Sequence, residues 1–129
     1  MNRKILLVED NPQNRYLAMF LLERSGYIVA AAVDGRAAID MAVDLRPDAV
    51  LLDIQLPGMD GYAVARELRS IPALEHTPII AVTSYAMPGD RDKALAAGCV
   101  GYIEKPIDPE GFVAEVERYL PPQSRGDAA

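Results

Sequence analysis

Three carboxylates, a hydroxyl and an ammonium stand at the ends of short apolar runs in this sequence: Glu9 and Asp10, Asp53, Thr83 and Lys105. The stretch VLLDIQLPGMDGY, residues 50–62, poses the question most sharply. Val50, Leu51 and Leu52 read as a buried strand, and a charge follows at once, although an uncompensated buried charge is very costly. Carboxylates gathered within a few ångströms repel, and one takes up a proton unless a cation intervenes. Mg²⁺ suits such a set, being hard, octahedral and content with one or two carboxylates plus carbonyl, water and phosphate oxygens. Asp10 and Asp53 could ligate it directly, with the Gln55 backbone carbonyl as a third ligand and Glu9 acting through water. Lys105 could then meet a phosphoryl group on Asp53 as a point charge, and Thr83 could donate to a phosphoryl oxygen. Taken alone, each has a plainer reading. Glu9-Asp10-Asn11-Pro12 is also a strand exit with a helix cap, Thr83 a β-branched strand residue, and Lys105 a solvated lysine.

These residues need a scaffold that brings four distant segments to one edge. Apolar runs recur at Ile5–Val8, Ile28–Ala32, Ala49–Leu52, Ile79–Val82 and Val100–Ile103. Four of them are rich in Val, Ile and Leu without polar alternation, as strands covered on both faces should be. The alanine-rich 28–32 run reads as an edge strand. Between the runs the period is 3.6: Leu17, Phe20 and Leu21 share a face, as do Ile39, Ala42 and Val43, then Val64 and Leu68, and finally Phe112, Val113, Val116 and Leu120. Asp34, Asp60 and Asp108 read as N-caps, with Pro109 at the first helical position, and Gly26 and Gly98 as left-handed helix ends. The segment Pro88–Ala97 is mostly alanine and charge, so it should be the least firmly packed helix.

Strands alternating with helices imply a parallel sheet with right-handed crossovers and helices on both faces. Ligands of such sheets bind outside the carboxyl ends of the strands. Runs ending in Glu9-Asp10, Asp53, Thr83-Ser84 and Glu104-Lys105-Pro106 would meet there, with Asp53 in a solvent-facing crevice. The Lys105–Pro106 bond is a candidate cis peptide that would redirect the loop.

The remaining features narrow the class. One domain accommodates 129 residues, half of them hydrophobic. A net charge of -6 excludes the basic footprint of a nucleic-acid binder and disfavours anionic membranes. Cys99, the single cysteine, has no disulfide partner, and its reading is a small residue packed in a helix–strand corner. With no signal-peptide or membrane-length apolar run, the expected location is the cytoplasm. His76, in a turn, reads as solvated surface.

As a set, Glu9-Asp10, Asp53 in VLLDIQLPGMDGY, Thr83 in AVTSYA and Lys105-Pro106 resemble the receiver domain of two-component response regulators, over about residues 3–120. The chain looks most like stand-alone regulators of the cell-division type and receivers attached to hybrid histidine kinases. The resemblance implies a doubly wound, flavodoxin-like α/β fold, with a five-stranded parallel sheet of order 2-1-3-4-5 and five helices. It implies a receiver over residues 1–120, followed by a flexible tail over 121–129. Asp53 would be the phosphoacceptor, supplied by a histidine kinase or phosphotransfer protein, with Mg²⁺ held by Glu9, Asp10, Asp53 and Gln55. Thr83 and Lys105 would bind the phosphoryl oxygens, and Tyr102 would be the aromatic that turns inward on activation. Gln55 and Tyr85 would flank the path of a hydrolytic water, a bulky Tyr85 prolonging the phosphorylated state. Such a domain is a signalling module and not an enzyme. With no output domain following, its output would pass through contact with a downstream protein. The alternative is a receiver excised from a larger hybrid kinase or multidomain regulator. A flavodoxin-type electron carrier is disfavoured because the carboxylates of EDNPQN would repel a phosphate. A phosphatase of the haloacid dehalogenase type wants a second acid where Gln55 stands.

Overall fold

The computed structural model describes residues 3–56, 58–84 and 88–121. Tyr85 therefore lies outside the described residues, as does the expected tail beyond Pro121. Strands β1 (Lys4–Val8), β2 (Ile28–Ala32), β3 (Ala49–Asp53), β4 (Ile79–Thr83) and β5 (Gly101–Glu104) alternate with helices α1 (Pro12–Arg24), α2 (Gly35–Leu45), α3 (Gly61–Arg69), α4 (Asp90–Ala96) and α5 (Phe112–Arg118). A single 3₁₀ turn, Pro72–Leu74, follows α3. The strands form one parallel sheet of order β2-β1-β3-β4-β5, with β2 at an edge as its alanines suggested.

Strand side chains alternate between faces, and two cores result. Leu6, Val8, Val50, Leu52, Ile79 and Ala81 pack against Ala38, Ala42, Val64, Leu68 and Ala94, from α2, α3 and α4. Ile5, Leu7, Leu51, Ile80, Val82 and Ile103 pack against Leu21, Leu22, Phe112 and Val116, from α1 and α5. Burying a strand on both faces removes the reason for polar alternation, so these strands read as continuous apolar runs.

Several expectations about faces need correction. Phe20 and Val43 are about half exposed, and the inner lines of α1 and α2 are Ala18, Leu21, Leu22 and Gly35, Ala38, Ala42. For α2 the reason is close approach. A Cβ on Gly35 would lie 2.6 Å from Val64 Cγ2, so small residues line the tightest contact and larger ones move to the flank. Phe20 instead lies under the Arg24 guanidinium, 5.4 Å from its ring centroid.

Asp34 and Asp60 cap as expected, accepting from the amides of Ala37 and Tyr62 at 2.8 and 2.9 Å. Asp108 does not cap α5. Its carboxylate accepts from Glu110 N at 3.1 Å and closes a local turn, so the helix begins at Phe112 after Gly111. Val100 lies before β5 and is exposed. Gly26 and Gly98 adopt φ of 97° and 101°, as their places at helix ends require. Ala94 is the one residue of α4 that is buried. Cys99 is buried, and burial pushes its thiol up to about 11. His76 is exposed.

Candidate active site at the carboxyl edge of the sheet

The register carries the polar residues to one edge. Val8 pairs with Leu52, Asp53 with Val82, and Thr83 with Glu104, so each strand delivers its last residue, or the one after, to the same side. Beyond Val8 the Glu9 amide still donates to the Ala32 carbonyl at 3.0 Å, which holds the acidic pair in line with the strand. Asn11 then caps α1 through the Asn14 amide at 2.9 Å, with Pro12 opening the helix. The plain reading of EDNP as a strand exit with a helix cap is thus borne out.

One oxygen from each of Glu9, Asp10 and Asp53 lies within 4.8 Å of the others. Lys105 Nζ sits 3.0 Å from Glu9 Oε1 and 3.1 Å from Asp53 Oδ2. The expectation of a solvent-facing Asp53 is corrected by this pairing: Asp53 and Glu9 are each 3% exposed. The carboxylate can be covered because it is satisfied, by Lys105 and by the Gln55 amide donating to Oδ1 at 2.9 Å. Burial pushes the Glu9 carboxyl up from its ordinary range, with the Asp53 charge adding to the rise and Lys105 opposing it. Burial would lower the Lys105 ammonium, but its bonds to the two carboxylates outweigh that and raise it. Three carboxylates against one ammonium leave the cluster short of positive charge.

Gln55 does more than flank the site. Its side-chain Nε2 donates to Thr83 Oγ1 at 3.2 Å, and its Oε1 accepts from the Ser84 amide at 3.0 Å. Thr83 is itself fixed on the other side, its carbonyl accepting from Lys105 N at 2.8 Å. The Lys105–Pro106 bond is cis, as anticipated. Tyr102 lies one strand repeat below this edge, paired with Ala81 and half-buried against the core that α4 covers.

Sequence reasoning passed over two residues. Arg15 Nη1 donates to the carbonyls of Glu9 at 3.1 Å and Asp10 at 3.3 Å, bracing the loop that carries the acidic pair. The signal was present, since a cation near a helix start opposes the macrodipole and calls for a local reason. The second is Gly61. A Cβ there would overlap the Ile54 backbone, so the glycine lets α3 begin directly beneath the loop after Asp53.

The response regulator receiver domain family matches residues 5–117 of this chain. The chain belongs to that family. The polar-differentiation response regulator DivK of Brucella anthropi is 41% identical over 120 residues, which span 93% of this receiver and 98% of DivK. Among solved structures, the chemotaxis response regulator CheY4 of Vibrio cholerae superposes with a TM-score of 0.89 at 30% identity, covering 93% of this receiver and 100% of that chain. The receiver domain of a Pseudomonas aeruginosa sensor histidine kinase superposes at 0.83 with 39% identity, covering 92% and 98%; it was solved with a magnesium ion coordinated in its active-site cleft. The receiver here is thus a phosphoacceptor response regulator of a two-component system. No helix among its described residues is long and apolar enough to cross a membrane.

Proposed function

We propose that Asp53 is the phosphoacceptor and that the receiver unit spans residues 1–120. A phosphohistidine of a kinase or phosphotransfer protein is the donor. The P–N bond to the imidazole breaks, an Asp53 carboxylate oxygen forms the new P–O bond, and the imidazole leaves with the electron pair and takes a proton. Little covalent chemistry is asked of the protein, so positioning and charge neutralisation carry the step. The observation that carries this reading is Lys105 Nζ bridging Glu9 and Asp53 beside Asp10. That places a cation at the acceptor oxygen and leaves excess negative charge for a second one.

The donor set fits Mg²⁺, being all hard oxygen and drawn from carboxylates that already lie together. Glu9, Asp10, Asp53 and the Gln55 carbonyl would hold it, and when bound it neutralises charge on the transferring phosphoryl group. Lys105 and Thr83 then receive the phosphoryl oxygens. Tyr102 and the α4–β5–α5 surface form the output, read in the cytoplasm by a downstream protein. Tyr85 and Gln55 set the lifetime of the phosphorylated state.

The test is intact mass after incubation with acetyl phosphate, with and without Mg²⁺, on wild type and Asp53→Asn. A single Mg²⁺-dependent phosphoryl adduct on wild type, missing from the variant, is expected. An adduct that persists on Asp53→Asn would overturn the assignment.

A further inference from the structure

We propose that the Gln55 side chain is a latch that holds Thr83 and Ser84 in the unphosphorylated arrangement, and so sets how readily the receiver switches. The proposal rests on Asp53 as phosphoacceptor.

The orientation of the Gln55 amide is determined by its neighbours. A backbone N–H can only donate, so the 3.0 Å contact with Ser84 N must be made by Oε1. Nε2 is thereby turned toward Thr83 Oγ1, 3.2 Å away, and the threonine oxygen accepts there. The end of β4 is consequently gripped from β3 through a side chain, while Lys105 N holds the Thr83 carbonyl from the β5 side. The same residue touches the acceptor, its backbone amide donating to Asp53 Oδ1 at 2.9 Å. Phosphorylating Asp53 turns its carboxylate into a mixed anhydride whose charge sits on the phosphoryl group, which weakens its pull on the Gln55 amide, while the new phosphoryl oxygens draw Thr83 inward. A side chain bonded to both Thr83 and Ser84 resists that movement. Gln55 is in this sense a positioning residue: it acts through Thr83 and Ser84.

Two substitutions separate the latch from other roles. Gln55→Ala removes the side-chain bonds to Thr83 Oγ1 and Ser84 N. Gln55→Glu keeps the acceptor for Ser84 N but presents a second oxygen to Thr83, which must then donate its hydroxyl proton to the carboxylate. Amide exchange at Ser84, followed by NMR on the whole unphosphorylated chain, should quicken about two- to tenfold in Gln55→Ala, the range one net hydrogen bond supplies. It should stay slow in Gln55→Glu. Titration with beryllium fluoride and Mg²⁺, as a phosphoryl mimic, should show Gln55→Ala binding about two- to tenfold tighter than wild type and Gln55→Glu binding weaker. In a Thr83→Ala background the gain from Gln55→Ala should shrink. Unchanged Ser84 exchange, or equal or weaker binding by Gln55→Ala, would overturn the latch. Failure of wild type to respond to beryllium fluoride would overturn the phosphoacceptor reading, and with it the latch's role in switching. The two failures are distinguishable because Ser84 exchange is read without the mimic.

Discussion

Lys105 and Asp53 lie 52 residues apart in sequence, yet the ammonium of one is 3.1 Å from the carboxylate of the other and the contact is almost closed to solvent. The same ammonium is 3.0 Å from Glu9. One cation thus serves two buried anions, and the balance of the site follows from that ratio.

Removing the cation should be destructive. Lys105→Met leaves both carboxylates uncompensated, and losing one partner from a buried charge group costs about 3–5 kcal/mol. Removing Glu9 should have the opposite sign. The folded state raises the Glu9 carboxyl above its ordinary 4.5, so the native protein binds a proton that the unfolded chain does not. Stability held back at neutral pH is then regained as pH falls through the folded value toward 4.5. Glu9→Gln should accordingly melt higher than wild type at neutral pH, the gap closing as pH is lowered. Parallel thermal melts in metal-free buffer check both variants. A Glu9→Gln protein that melts lower at neutral pH would contradict this account.

Mg²⁺ should stabilise the receiver by mass action, by about 2.7 kcal/mol at a hundredfold excess over its Kd. The melting temperature should climb with Mg²⁺ concentration in wild type. Asp10→Asn should lose most of that climb, because Asp10 supplies one of the clustered oxygens while making neither of the Lys105 ion pairs. An equal climb in the variant would place the ion elsewhere.

At the opposite face of β5, Gly101 makes room for the Tyr119 ring, which a Cβ would overlap, and the Tyr119 hydroxyl donates to the Tyr102 carbonyl at 3.5 Å. Gly101→Ala should cost about 1–3 kcal/mol, as overpacking does. Adding Tyr119→Ala should recover part of the loss, so that the pair is strongly non-additive. Urea denaturation of the two single variants and the double variant measures the coupling. Simple additivity would show that the ring does not constrain Gly101.

Much of the scaffold was legible because its signals are local. Continuous apolar runs mark doubly covered strands, and an aspartate before a helical pattern marks a cap, as Asp34 and Asp60 do. The misreadings have separate causes. Val43 carries the right character for an inner face, but α2 lies so close to Val64 that Gly35, Ala38 and Ala42 take the inner line, whereas on α1 Leu21 and Leu22 fill the core and Phe20 lies under Arg24. Asp108 was misjudged because its carboxylate had a nearer amide in Glu110.

By itself the sequence determined which residues stand at strand ends, that they are acidic, hydroxylic and basic, and that a parallel sheet would collect them. Local pattern suffices for this, since a side chain's type and its distance from the end of an apolar run are read directly from the chain. Tertiary structure alone decided that Asp53 is covered instead of exposed, that one lysine answers two carboxylates, and that Gln55 reaches Thr83 from 28 residues away. Those facts depend on strand order and register, which place Asp53 opposite Val82 and Thr83 opposite Glu104. Whether a charge can be buried depends on the partner that packing brings to it.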